Sequence, residues 1–328
     1  VTANPAGRES ERSEALFRAH RRRLWALGYR LTGSAEDAED VVQETFARLL
    51  ERPPAGSAEA LAPWLVRVAT NLGIDALRRR RRRAYPGVWL PAPAEASDAE
   101  WCDSYAAESR DPEARYGLLE SASYAFLVAL EALGARQRAA LLLRDVLGQS
   151  AREAAEALAT TEGNVRVLHA RARRAMEAYD RARCLPTAEL RERHRAVLER
   201  FLGALAAQDG AALAALLSDS VRTLTDAAGE YSALGAALAG RERVAKFYLR
   251  AALHRQGAGP RIEVRLVNGL PAAVIELARP KRLRQAPRTV LRLELDADDR
   301  IREIQTVLAP RKLRAVRFTG FEEAPAAV

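Results

Sequence analysis

The chain has 328 residues, 48% hydrophobic and 29% charged, enough for two or three domains that each bury a core. Lys and Arg total 52 against 43 Asp and Glu, and the formal net charge of +9 favours a polyanionic partner; with only three lysines (Lys246, Lys281, Lys312) the arginine excess is weak evidence alone. Two cysteines, Cys102 and Cys184, build no disulfide framework, no apolar run reaches a membrane span, and residues 1–23 hold no signal-peptide core, so secreted, membrane and disulfide-rich classes are set aside and a cytoplasmic location is expected.

Over residues 16–31 apolar side chains recur at helical spacing. Gly33-Ser34 stops that helix and caps the next, with Asp37 as the capping-box partner. The second helix carries Ala38, Val41, Val42, Thr45, Phe46, Leu49 and Leu50 on one stripe, and Asp37, Asp40, Gln43, Glu44 and Arg48 on the other face. Pro53-Pro54 ends it. Pro63 opens a third helix, with Trp64, Leu65, Val68, Ala69, Leu72 and Ala76 as its stripe, and this runs into six consecutive arginines at 78–83. Residues 84–115 change character. Prolines cluster at Pro86, Pro91 and Pro93, and seven acidic residues against two arginines leave a charge of −5, the composition of an extended linker.

Helical patterns return over 118–133, 136–147, 151–158 and 162–179. The last two, separated by Ala159-Thr160-Thr161, form a helix-turn-helix pattern. Thr161 is placed to cap the second helix, and Val165, Leu168, Ala172 and Met176 to face its core. Beyond Pro186 a helix bearing Val197, Leu198, Phe201, Leu202 and Leu205 precedes a short one ending near Leu217. Strand-like segments follow at 261–268, 270–277, 288–295 and 300–308, with hairpin turns at Asn268-Gly269 and 296–299. The histidines (His20, His169, His194, His254) and cysteines lack metal-ligand spacing, and no metal or cofactor is expected.

Three stretches carry a family resemblance: residues 37–46 (DAEDVVQETF), 64–71 (WLVRVATN) with 75–79 (DALRR), and 150–176. In that order, with an acidic linker between, they resemble regions 2 and 4 of a bacterial RNA polymerase sigma factor of the extracytoplasmic-function (ECF) group. The resemblance implies an all-α part with region 2 at 8–83 and a region 4 helix-turn-helix at 116–183. It implies that Asp37, Asp40, Gln43, Glu44 and Arg48 meet core RNA polymerase, and that the 64–83 helix meets the minus-ten promoter element through Arg67, Asn71, Arg78, Arg79, Arg80 and Arg81. In the helix-turn-helix, Thr161, Asn164, Arg166, His169, Arg171, Arg173 and Arg174 are the candidates for the minus-thirty-five element. Arg166 is the first choice for a base edge, because a guanidinium pairs bidentately with guanine. Arg173 and Arg174 suit phosphates. On charge alone the same faces read as solvated helix surface, and Trp64 as a core aromatic.

Trp89-Leu90-Pro91-Ala92-Pro93 resembles a signature of an ECF subgroup with a C-terminal SnoaL-like domain, an α+β cone, which here occupies 186–318. This chain reads Asp226-Ala227-Ala228-Gly229-Glu230 where the subgroup has a glycine-rich motif ending in Lys. It reads Ala309-Pro310-Arg311-Lys312-Leu313 where the subgroup has Asn-Pro-Asp-Lys-Leu. The expected function is transcription initiation, non-enzymatic, with core polymerase and promoter DNA as partners and regulation in cis by the cone. An anti-sigma factor is compatible but not required. Two alternatives stay open: a bifunctional protein whose cone binds or converts a small apolar molecule, with Asp226, Tyr231, Tyr248, His254 and Glu276 as its only candidate groups, and a simple dimeric helix-turn-helix repressor.

Overall fold

The computed structural model describes residues 5–54, 61–95, 116–280 and 284–320, with side chains from residue 14 onward. Two compact units emerge: Val1–Ala84 with Ala96–Leu185, and Tyr85–Glu95 with Pro186–Val328. The first unit opens with three helices, α1 (Pro5–Thr32), α2 (Ala35–Glu51) and α3 (Leu61–Arg82). Gly33 leaves α1 at φ +69°, and the Ser34 hydroxyl accepts from the Asp37 amide at 3.1 Å to start α2. Leu27 and Leu31, Val42 and Phe46, and Leu65 and Leu77 bury the joint core, each such side chain contributing roughly 1.5–3 kcal/mol. A Cβ on Gly73 would come within 2.7 Å of Leu31, so the glycine lets α1 and α3 close together. Leu50 departs from its expected stripe and is 66% exposed. Leu49 is the last core residue of α2, and Leu50, about 100° further round the helix, lies beyond the edge of the stripe.

Among the described residues this unit continues with α4 (Leu118–Ala122), α5 (Tyr124–Ala129), α6 (Ala135–Leu141), α7 (Ala151–Ala157), α8 (Glu162–Ala175) and α9 (Glu177–Asp180). The single helix expected over 118–133 is broken at Ser123, which is extended and caps α5 through its hydroxyl. The 136–147 helix changes after Leu141 into one wider π turn, Leu142–Val146, and the 162–179 helix breaks at Met176. Ser150 and Glu153 form the capping box that starts α7.

The second unit runs α10 (Ala188–Ala206), α11 (Gly210–Leu216), β1 (Leu217–Asp226), β2 (Leu238–Ala239), α12 (Arg241–Gln256), β3 (Pro260–Val267), β4 (Leu270–Leu277), β5 (Arg288–Leu295) and β6 (Ile301–Val307). The sheet order is β2-β1-β6-β5-β4-β3, and β1 with β6 is its parallel pair. Helices α10 and α12 close one face over Phe201, Tyr248, Leu291 and Ile304, making the SnoaL-like α+β cone. The β3–β4 turn is left-handed at both Asn268 (φ 51°) and Gly269 (φ 80°), as an Asn-Gly hairpin requires.

The linker expected over 84–115 begins differently. Tyr85–Glu95 belongs to the cone unit, with Leu90, Ala92 and Ala94 buried. Composition hid this, because the seven acidic residues lie from Glu95 onward while 85–94 are apolar and uncharged. Residues 96–115 lie outside the described residues.

Candidate nucleic-acid interface

On α2 the apolar stripe is sealed against α1 and α3, which leaves Asp40, Gln43, Glu44 and Arg48 exposed. Arg48 Nε donates to Glu44 at 2.8 Å. Together with Asp37 they line one shallow cavity of about 500 Å³ against Leu72 and Arg79 of α3. Asp37 sits deeper, and burial pushes its carboxyl above the ordinary value, partly offset by the Ser34 hydroxyl and the Arg80 charge.

The α3 candidates divide. Arg67, Arg78 and Arg79 are exposed. Arg80 is engaged within the unit: its guanidinium donates to the Thr32 carbonyl at 2.8 Å and pairs with Glu131 at 2.5 Å. It holds α3 to the end of α1 and to the 130–132 turn instead of facing outward. Arg81 donates to the Glu131 carbonyl at 2.9 Å. The Asn71 amide donates to Ala157 O at 3.1 Å, the end of α7. Glu131 also accepts from Arg138, a fully buried arginine that donates to Leu31 O at 2.9 Å. Burial lowers the Arg138 guanidinium to about 10, against the raising effect of Glu131. The sequence offered no sign of Glu131, since an isolated glutamate near a helix end has no motif.

In the helix-turn-helix, Thr161 caps α8, accepting from the Asn164 amide at 3.2 Å, and the Asn164 side chain donates to Thr160 at 2.8 Å. Val165, Ala172 and Met176 are buried. Arg166, Val167, Arg171 and Arg174 form the exposed face, with Arg166 lying along Glu162 at 2.8 Å. His169 is likewise engaged within the unit. Its Nε2–H donates to Asp145 at 2.7 Å, and Arg173 reaches the same carboxylate at 3.5 Å. Asp145 is buried at the end of the π turn, so these two side chains turn inward to hold α8 at its angle. The expected Leu168 core position is only half-buried.

A second cluster gathers in the cone unit on Asp226, at the end of β1 and fully buried. The Leu90 amide donates to it at 2.8 Å, the Tyr85 hydroxyl at 2.6 Å, and Lys312 at 2.5 Å. Asn268 exchanges two hydrogen bonds with Ala94: its amide donates to the Ala94 carbonyl at 2.9 Å, and its Oδ1 accepts from the Ala94 amide at 3.1 Å. Both stretches that differ from the subgroup, 226–230 and 309–313, thus close on the Trp-Leu-Pro-Ala-Pro segment.

Residues 16–83 match the family Sigma-70 region 2, and residues 123–176 match Sigma-70, region 4. The ECF RNA polymerase sigma factor SigJ of Mycobacterium tuberculosis is 35% identical over 257 residues, 77% of this chain and 78% of that protein. The chain belongs to the ECF sigma factor family. The probable ECF RNA polymerase sigma factor SigI of Mycobacterium tuberculosis is 30% identical across 92% of this chain and 95% of its own length. The crystal structure of Mycobacterium tuberculosis SigJ superposes with a TM-score of 0.67 at 28% identity, covering 92% of this chain and 98% of that one. This sigma factor is a transcription initiation factor whose partners are core RNA polymerase and promoter DNA. Among the described residues no helix is long and apolar enough to cross a membrane, and no cluster of His, Cys, Asp and Glu could hold a metal ion.

The sigma factor does not gather the five groups weighed for small-molecule conversion. Tyr248 and His254 line a cone cavity of about 680 Å³, while Asp226 is held by Lys312. Glu276 pairs with Arg288 at 3.1 Å, and Tyr231 borders a different cavity.

Proposed function

We propose that this sigma factor docks on polymerase through Asp40, Gln43, Glu44 and Arg48, and meets the minus-ten element through Arg67, Arg78, Arg79 and Arg81. It reads the minus-thirty-five element with the Asn164, Arg166, Arg171 and Arg174 face of α8. It works in the cytoplasm, catalyses nothing itself, and is regulated in cis by its cone.

The cis-regulatory reading rests on one observation: the eleven residues Tyr85–Glu95, which follow region 2, are docked in the cone unit. A docked segment contributes nothing to the reach between regions 2 and 4. Released, it adds up to roughly 36 Å of extended chain. Reach matters because promoter elements lie more than a duplex turn apart, roughly 34 Å, whereas Asn71 of α3 here touches Ala157 of α7. Helices α3 and α7 separate before both elements are engaged, and the docked segment biases that opening.

The test is run-off transcription with core polymerase, comparing wild type with Ala92→Asp, which places a charge at a fully buried position of the segment and leaves the body of the cone unaltered. Output is expected to change at least twofold with promoter preference unaltered. Equal output at every promoter tested removes cis regulation and leaves a constitutive sigma factor.

A further inference from the structure

The cone cavity is a built pocket of about 680 Å³, within the range that takes small organic ligands. Its charge is one-sided. Arg243, Lys246, Arg250 and Arg255 of α12 all line it, and among the described residues no Asp or Glu does. None of these four makes an ion pair among the described residues. Arg255 is the inner one. Burial lowers its guanidinium below the ordinary value, and the Tyr248 hydroxyl is the one group that offsets this. Arginine stranded in this way lacks the counter-charge that buried cations otherwise have.

The rest of the wall is mixed, with Ser232, Arg284 and Gln285 beside an apolar part. Leu234, Leu238, Phe247 and Leu308 contribute to it. At the floor the Tyr248 hydroxyl is satisfied by Thr223 at 2.7 Å and Thr306 at 3.1 Å, but Thr225 Oγ1 is buried and has no hydrogen-bond partner. A partly apolar chamber whose α12 cations lack carboxylate partners among the described residues, Arg255 the innermost, and whose floor holds one orphan hydroxyl is complementary to a molecule with an apolar body and an anionic group. A guanidinium fork matches the two oxygens of a carboxylate.

We propose that the cone cavity binds an amphipathic monocarboxylate, its carboxylate on Arg255 and its apolar body against Leu234, Leu238 and Phe247. Arg243, Lys246 and Arg250, all exposed, steer the anion toward the mouth. The site binds without converting. His254 Nδ1 is engaged by the Arg250 carbonyl of its own helix at 2.5 Å, and among the described residues no carboxylate lines the cavity to act as a base.

The test is calorimetric titration of the full chain, without polymerase or DNA, with decanoate and 2-naphthoate, against decanol and decyltrimethylammonium. At least one carboxylate is expected to bind one to one and at least tenfold more tightly than either control. Arg255→Gln should lose at least tenfold of that affinity with the melting temperature retained. Should Arg255→Gln not fold, Ala251→Trp, which fills the cavity from α12, must abolish binding. Carboxylates binding no better than decanol, or binding surviving in a folded Arg255→Gln or in Ala251→Trp, overturns the proposal. Because polymerase is absent, either failure leaves the cis-regulatory reading standing.

Discussion

Lys312 holds its ammonium 4.1 Å from the ring centroid of Trp89 while donating to the buried Asp226 carboxylate. One cation thus joins the last turn of the cone, the end of β1 and the 85–95 segment. Lys312→Ala leaves Asp226 buried and unpaired, which costs about 3–5 kcal/mol. The melting transition of the cone should fall and the Trp89 emission shift to the red as the segment releases. An unchanged melting curve and spectrum would mean that the ion pair holds nothing in place.

Glu131 does the equivalent work between the two sigma regions, accepting from Arg80 and Arg138. Glu131→Ala strands a fully buried guanidinium and should cost about 3–5 kcal/mol. Glu131→Gln, which keeps an acceptor, should recover part of this. Equal melting temperatures for the two variants would show that the acceptor does not matter.

Reversing charge on α2 with Asp40→Arg and Glu44→Arg spares the Val41, Val42 and Phe46 stripe, so the fold should persist within about 0.5 kcal/mol. Binding to core polymerase should drop at least tenfold. Retained binding would move the docking surface off this helix.

Base reading and phosphate gripping separate by their salt and sequence dependence. Arg166→Ala should cost about 1–3 kcal/mol and relax preference at one or two promoter positions. Arg174→Ala should weaken binding evenly and lower the salt slope by about one. His169→Ala acts differently, because its partner is Asp145, and it should lower stability before it alters sequence preference. The same preference profile for Arg166→Ala and wild type would take Arg166 out of the recognition set.

His194 on α10 is 6% exposed, and its Nδ1–H donates to Leu190 O at 2.9 Å. Burial holds its pKa below the ordinary 6.5, opposed by the hydrogen bond to the Leu190 carbonyl and by Asp299 and helped by Arg292 and Arg193. A depressed folded-state value means that the unfolded chain takes the proton first. Stability is therefore complete above about pH 6.5 and declines as pH falls through the folded-state value, by at most about 1.4 kcal/mol per pH unit. His194→Gln should flatten the decline between pH 6.5 and 5. Parallel pH profiles would assign the acid sensitivity to other groups.

The helical half was legible because its stripes repeat at 3.6 residues and its caps are chemical: Ser34 and Thr161 cap as their neighbours suggested. The site was legible only where side chains face water. Arg80 and His169 look like any exposed cation until Glu131 and Asp145 come within reach, 51 and 24 residues away. In the cone, β1 escaped notice because it buries Thr223 and Thr225 instead of alternating apolar residues. Helix α12 escaped because its cavity face is cationic, which blurs the amphipathic stripe.

The docking of 85–95 also sets an order of events on the ribosome. Leu90 accepts its bond from a lysine 222 residues downstream. At synthesis rates of about 5–20 residues per second, roughly 10–40 s pass between the emergence of the two. For the later part of that interval, once residue 183 has emerged, regions 2 and 4 are complete while the 85–95 segment still waits for its cradle, so each newly made chain passes through a stage with an unrestrained tether. A chain cut short before residue 312 never leaves that stage, and nascent chains captured at successive lengths would reveal the clamp as a late, single step in protease resistance at Tyr85.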